Sequence, residues 1–84
     1  MRTREEVLER TKRIIMDNVP EMVDGELTED TVLNTETSVD SMGFILIVTK
    51  LEGMFNIKIP DDEWEKMYTL RDIVDTVMRH LPKD

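Results

Sequence analysis

The chain contains no cysteine. Disulfides, thiolate metal sites and a cysteine nucleophile are therefore all excluded. It also lacks a long hydrophobic run. The longest, Met42 to Val48, is interrupted by Gly43 and falls far short of the roughly 20 apolar residues that cross a bilayer. The first residues, Met1-Arg2-Thr3-Arg4-Glu5-Glu6, show no hydrophobic region of the signal-peptide kind, so the expected location is the cytoplasm and no membrane span is expected. There is no glycine-rich phosphate loop. The single histidine, His80, has no evident serine partner and reads as a surface residue. The carboxylates are scattered, with no pair set in an apolar pocket that would raise a pKa for acid catalysis. Asp24-Gly25-Glu26 lacks the ligand spacing of a calcium loop. No enzyme activity and no metal centre are expected.

What is present is a short, acidic chain. Its 84 residues fit one domain, residues 1–84. A domain of this size buries only about 60% of the surface of its unfolded chain, leaving a thin core. The net charge of −8 is unevenly spread: residues 1–16 carry five basic and three acidic side chains, residues 17–40 eight acidic and none basic, and residues 41–84 six basic and eight acidic. The acidic excess thus gathers just before Ser41. Such a field repels nucleic acid and favours basic protein surfaces, besides keeping a small domain soluble.

Hydrophobic spacing predicts the elements. Val7, Leu8, Ile14 and Ile15, with Thr11 between them, mark a helix over 4–16 with one buried face, ended near Pro20. Residues 20–40 have no sustained period and read as a long loop, with Met22, Val23, Leu27, Val32 and Leu33 as anchors on the bundle. In residues 41–55 the β-branched Ile45, Ile47 and Val48 are compatible with a strand. The spacing of Ile47, Val48, Leu51, Met54 and Phe55 favours a helix, with Asp40 as its N-cap. Ile57 and Ile59 plug a connector ending at Pro60. Asp61 or Asp62 caps a brief helix through Trp64 to Met67. Thr69 caps a last helix carrying Leu70, Ile73, Val74, Val77, Met78 and Leu81. The expectation is an all-α four-helix bundle, three helices long and one short, with a long loop between the first two.

Asp40-Ser41-Met42-Gly43 opens the central helix. A serine there is commonly only a cap for free backbone amides. The same helix start also suits a phosphodiester, because its dipole and unpaired N–H groups favour an anion. No local base activates Ser41 as a nucleophile, so it would be a substrate for modification.

The whole chain resembles the acyl carrier protein family. An amphipathic first helix precedes a loop with Leu27-Thr28-Glu29-Asp30. Asp40-Ser41-Met42 stands where the family shows Asp-Ser-Leu or Asp-Ser-Met, and its helix ends in Leu51-Glu52-Gly53-Met54-Phe55. Ile57-Lys58-Ile59-Pro60-Asp61-Asp62-Glu63, Glu65-Lys66-Met67 and Thr69-Leu70-Arg71-Asp72-Ile73-Val74 follow in the family's order. The resemblance implies an acyl-carrier-like bundle and a 4′-phosphopantetheine arm moved from coenzyme A onto Ser41 by a phosphopantetheinyl transferase, with Asp40 helping to present the serine. The arm's thiol would hold acyl or aminoacyl cargo as a thioester. The implied partners are an acyl- or aminoacyl-loading ligase and a downstream synthase or transferase, met by a monomeric carrier.

Two departures narrow this expectation. Fatty-acid carriers usually keep an acidic second helix, whereas here Gly43 and Leu46 stand where acids commonly occur, and Lys50 offsets Glu52. Thr37-Ser38-Val39 replaces the common approach to the motif. The reading is therefore a dedicated carrier for a specialised pathway. The alternatives are a housekeeping fatty-acid carrier, a D-alanyl carrier (whose Asp-Ser-Met-Gly motif is similar), an unmodified acidic adaptor or a small metal-binding helical protein. Met42 and Leu46, one turn apart on one face, are expected to be exposed and to form an apolar docking patch, the alternative being that they line the core. Trp64, Met67 and Tyr68 form a second cluster; the resemblance places it beside an acyl cavity, and core packing is the plainer role for Trp64.

Overall fold

The computed structural model describes residues 3–20, 25–33 and 41–82, without the side chains of Ser41 and Met42. Four helices follow one another: α1 (Arg4–Asn18), α2 (Ser41–Phe55), α3 (Asp61–Trp64) and α4 (Leu70–His80). The all-α bundle of three longer helices and one short one is as the spacing predicts. Among the described residues there is no strand, only one isolated antiparallel bridge between Val32 and Thr69.

Each long helix begins and ends for local reasons. Thr3 caps α1, its hydroxyl accepting from the Glu6 N–H at 3.1 Å. The helix runs two residues past the predicted end, to Asn18, before Val19 and Pro20 stop it. Its buried stripe is Val7, Thr11, Ile14 and Ile15. Thr11 sits in the apolar layer because its hydroxyl is satisfied internally, donating to the Val7 carbonyl at 2.7 Å. α2 ends at Asn56, which takes a left-handed φ of 55°. That conformation reverses the chain and lets the Ile57 N–H reach back to the Glu52 carbonyl at 3.1 Å.

Thr69 starts α4 with a full capping box. Its hydroxyl accepts from the Asp72 N–H, while the Asp72 carboxylate accepts from the N–H groups of Tyr68 and Thr69 at 3.0 and 3.1 Å. Burial pushes the Asp72 carboxyl up, but these hydrogen bonds outweigh it and hold it below its ordinary value of 3.8. A depressed folded-state value adds stability that is fully present above the ordinary value and is lost as pH falls through the folded one. Asp72→Asn is therefore expected to flatten the acid limb of a stability-versus-pH profile and to leave its shape above pH 5 unchanged, measured by urea unfolding. An unaltered acid limb would show that the box carries no pH dependence.

One core unites these elements. α1 packs on both α2 and α4. Val7, Ile14, Ile15, Ile47, Val48, Leu51, Leu70, Ile73, Val74 and Val77 are buried together, with Val19, Leu33, Phe44, Phe55, Ile59 and Met67 in the same cluster.

Several expectations need correcting. α3 is shorter than predicted and has Pro60, not Asp61 or Asp62, at its N-cap, with no side-chain cap bond. Of the loop anchors, Leu33 is buried and Leu27 packs partly on the core, but Val32 points outward. Adjacent residues in an extended bridge face opposite ways, so only one of this pair can be an anchor. Met22, Val23 and Asp40 lie outside the described residues. His80 is not a plain surface residue: it is half-buried and lies 2.7 Å from a Glu63 oxygen.

Candidate functional site

Ser41 is the first residue of α2. The positive end of the helix dipole therefore falls on the residue that the resemblance marks for modification. No acidic side chain stands in the first turn, so nothing there repels a phosphodiester on the serine. The next residue but one, Gly43, is buried. The first turn thus fits an anionic group, and Ser41 is the residue of that turn with a hydroxyl to bear it. The side chain of Met42, expected to be exposed, lies outside the described residues.

α2 presents two very different faces. Ile47, Val48 and Leu51 are wholly buried, flanked by Phe44 and Phe55. Turned away from them, Leu46 is 38% exposed, Ile45 42% and Met54 42%. Leu46 is therefore exposed, as predicted, and Ile45 joins it. Ile45 was missed because a β-branched residue in an apolar run looks like core. Thr49, Lys50 and Gly53 complete this outer face, and a side chain built on Gly53 would meet nothing within 4 Å. Among the described residues Lys50 has no ion-pair partner. Glu52 does not face outward freely: its carboxylate accepts from the Ile59 N–H at 2.8 Å and pins the connector after the helix. The outer face of α2 is consequently apolar with a lysine on it.

The acidity before Ser41 is partly neutralised by the fold. Glu29 accepts from Arg4 at 2.6 Å and lies 3.6 Å from Arg71, Asp30 accepts from Arg71 at 2.6 Å, and Arg4 also donates to Asp75 at 3.0 Å. The hydrogen bond from Arg4, against a smaller opposing effect of burial, holds the Glu29 carboxyl below the usual carboxylate range. Backbone bonds reinforce these pairs, from Leu33 N–H to the Tyr68 carbonyl, Leu70 N–H to Thr31 and Arg71 N–H to Glu29. Asp17 faces Arg13 at 3.8 Å. Among the described residues Asp17, Glu29 and Asp30 thus have arginine partners; the Arg13–Asp17 pair has ordinary helical i,i+4 spacing, whereas no local sequence pattern foretells the pairings of Glu29 and Asp30.

The predicted cluster of Trp64, Met67 and Tyr68 spans the surface: the Met67 N–H donates to the Trp64 carbonyl at 3.3 Å, while the three side chains differ in burial. Met67 is buried, Tyr68 is exposed, and Trp64 packs partly on the core with its indole N–H donating to the Ile59 carbonyl at 2.9 Å. The plainer role for Trp64 is the one observed. Among the described residues no group of carboxylates and histidines could hold a metal ion, and no helix is long and apolar enough to cross a membrane.

Comparison with known proteins agrees with this geometry. Residues 13–77 match the family model described as "Phosphopantetheine attachment site". An acyl carrier protein of Rubrobacter xylanophilus is 31% identical over 77 residues, which is 92% of this chain and 94% of the relative. An acyl carrier protein of Lactobacillus acidophilus is 34% identical over 76 residues, 90% of this chain and 94% of the relative. A helix that opens on a serine with no acid in its first turn, inside a bundle matched over most of its length, places this chain in the phosphopantetheine-binding family of acyl carrier proteins, whose members are not enzymes but carriers bearing a covalent 4′-phosphopantetheine.

Proposed function

We propose that Ser41 is the attachment residue, and that the chain serves a specialised pathway rather than general fatty-acid synthesis. The attachment reading is supported by the position of Ser41 at the start of α2, with no acid in that first turn. Once attached, the arm supplies a terminal thiol that holds acyl or aminoacyl cargo as a thioester. The chain's own work is to hold the arm's root at a fixed point and to select who reaches it. Tethering raises the effective concentration of cargo at each enzyme, while the surface around the root chooses partners. Asp40, next to the serine, helps present it to the transferase. A phosphopantetheinyl transferase, a loading ligase and a downstream synthase or transferase are the partners, met by a single cytoplasmic domain acting as a monomer.

The observation that carries the pathway reading is the outer face of α2, where Ile45, Leu46 and Met54 are exposed beside Lys50. A partner with a basic docking patch gains little there; a partner with an apolar one gains much. Leu46, with Met42 one turn before it, is the centre of that docking patch. The names of the two relatives favour a second reading, a general acyl carrier.

The attachment is tested by mass spectrometry. Incubated with coenzyme A and a transferase of broad specificity, the protein is expected to gain one phosphopantetheinyl group, mapped to the peptide containing Ser41. No gain with several transferases would overturn the carrier assignment of this serine. The pathway reading is tested by Leu46→Glu in the form that bears the arm with its thiol free. In a specialised carrier, loading by its cognate acyl- or aminoacyl-loading ligase falls by roughly tenfold or more, as when a central side chain of an interface is truncated, while the circular dichroism melt is unchanged. In a general carrier the added acid instead improves transfer by a fatty-acid synthesis enzyme with a basic docking patch. Unchanged kinetics in both assays would remove Leu46 from the docking surface.

A further inference from the structure

α2 carries one basic and one acidic side chain, Lys50 and Glu52. The two are used differently. Glu52 turns toward the connector, where it accepts from the Ile59 N–H at 2.8 Å. Lys50 is exposed on the outer face and has no ion-pair partner among the described residues. Its isolation is built into the helix. Residues three and four positions away are a helical side chain's neighbours. For Lys50 these are Leu46, Ile47, Gly53 and Met54, and none is an acid. α1 is arranged the other way: Arg10 lies 3.2 Å from Glu6, Lys12 3.9 Å from Glu9 and Arg13 3.8 Å from Asp17. The other described arginines, Arg4, Arg71 and Arg79, all reach carboxylates on other elements.

The position of Lys50 matters as much as its isolation. Leu46 lies one turn before it and Met54 one turn after it, and both are exposed. Thr49 and Gly53 beside the row are short and offer the ammonium no cover. A surface laid on Leu46 and Met54 therefore lies over Lys50 as well. An ammonium covered by apolar surface without a partner is costly, and the loss outweighs what two apolar side chains return. The surface that accepts Leu46 and Met54 must supply an anion between them.

We propose that Lys50 sets the electrostatic sign of the partner: the loading ligase docks on α2 through an apolar depression that holds a carboxylate facing the Lys50 ammonium. The inference rests on the docking role proposed above for the outer face of α2. In a chain with 19 acidic and 11 basic residues, the charge on this face is the reverse of the whole. A groove with a carboxylate at its centre turns away carriers whose α2 is acidic there, because like charges would meet inside the contact. Lys50 thereby separates this chain from acidic carriers.

Loading of the full chain, bearing the arm with its thiol free, by its cognate acyl- or aminoacyl-loading ligase tests the proposal. Lys50→Met keeps a long apolar stem and removes the charge. Its kcat/KM for loading is expected to fall about tenfold or more, since a ligase carboxylate is left covered and unpaired. Lys50→Glu is expected to lose more than Lys50→Met, and Lys50→Arg, which keeps the sign, to lose less. A carbodiimide is expected to couple Lys50 to an aspartate or glutamate of the ligase as an amide, with one water lost. Exchanging the two charges, Lys50→Glu with that ligase acid replaced by lysine, then restores loading. Leu46→Ala reports the apolar contact alone. If Leu46→Ala slows loading while Lys50→Met loads as fast as the wild type or faster, the stem carries the ammonium out to water; the inference is overturned and the docking face stands. A loss in Lys50→Met that the exchange of charges does not reverse also overturns it. If neither Leu46→Ala nor Lys50→Met changes loading, docking on α2 fails, and the inference with it.

Discussion

Ser41→Ala is expected to abolish attachment of the phosphopantetheinyl group completely while leaving the fold intact. The first half is chemical. The phosphodiester needs an oxygen on the side chain, and alanine has none. A transferase cannot use Ser38 instead if it recognises the start of α2, because Ser38 precedes that helix. The second half is structural. Ser41 is the opening residue of α2, and alanine is the strongest helix former. Among the described side chains the apolar core of α2 begins at Phe44, and alanine adds no bulk at the helix start. The check is a paired measurement, intact mass after incubation with coenzyme A and transferase beside a thermal melt. Residual modification in Ser41→Ala would move the attachment site. Lost modification with a collapsed melt would leave the cause open, and Ser41→Thr, which keeps a hydroxyl, then decides it. Asp40→Ala is expected to slow the reaction without removing it, the outcome that the proposed presenting role requires.

The second large effect concerns stability. Leu51 is wholly buried at the middle of the α2 stripe, among Ile47, Val48 and Phe55. Leu51→Ala is expected to cost about 2–5 kcal/mol, combining lost transfer energy with a cavity that neighbours fill only partly. Small domains have total stabilities toward the lower end of about 5–15 kcal/mol. The variant therefore loses much of its reserve, and a melting temperature lower by roughly 10–20 °C or more is expected at about 4–8 °C per kcal/mol. Met54→Ala, three residues further along the same helix, is the contrast. Met54 is 42% exposed, and its loss is expected to stay within about 1 kcal/mol. Equal losses at the two positions would mean that α2 is rotated from the orientation described.

The two-faced character of α2 was only half legible in the sequence. Ile47, Val48, Leu51 and Phe55 recur at helical spacing and so announce a buried stripe. Ile45 lies outside that stripe yet has the same chemistry, and period alone gives it no side. α1 and α4 were easier. Their polar residues alternate with the stripe, and Thr69 with Asp72 spells a capping box in plain order. Ser41 stands out as the proposed attachment residue because the Asp-Ser motif stands in an ordered series of family features. What the sequence hid is everything that depends on charges far apart in the chain. Arg4 meets Glu29 and Asp75, Arg71 meets Asp30, and Glu63 meets Arg79 and His80. Charged residues leave no periodic trace, because any exposed position accepts them. His80 looked solitary for that reason, its partner being 17 residues away. Val32 and Leu33 show a different limit: two adjacent apolar residues look alike until an extended backbone turns one in and one out.

The seam that ties residues 29–33 to residues 68–71 has a consequence for how fast the molecule assembles. Its Asp30–Arg71 hydrogen bond joins positions 41 residues apart, whereas every helical bond joins close neighbours. Bringing such distant positions together costs chain entropy before any contact repays it. Helices of this length form in microseconds or less on their own, so the slower steps are the non-local ones, the seam together with the packing of α1 on α4 and the Arg4–Asp75 pair, 71 residues apart. A bundle whose helices form fast is thus paced by the joining of its two ends, to which the short extended stretch ending at Leu33 contributes.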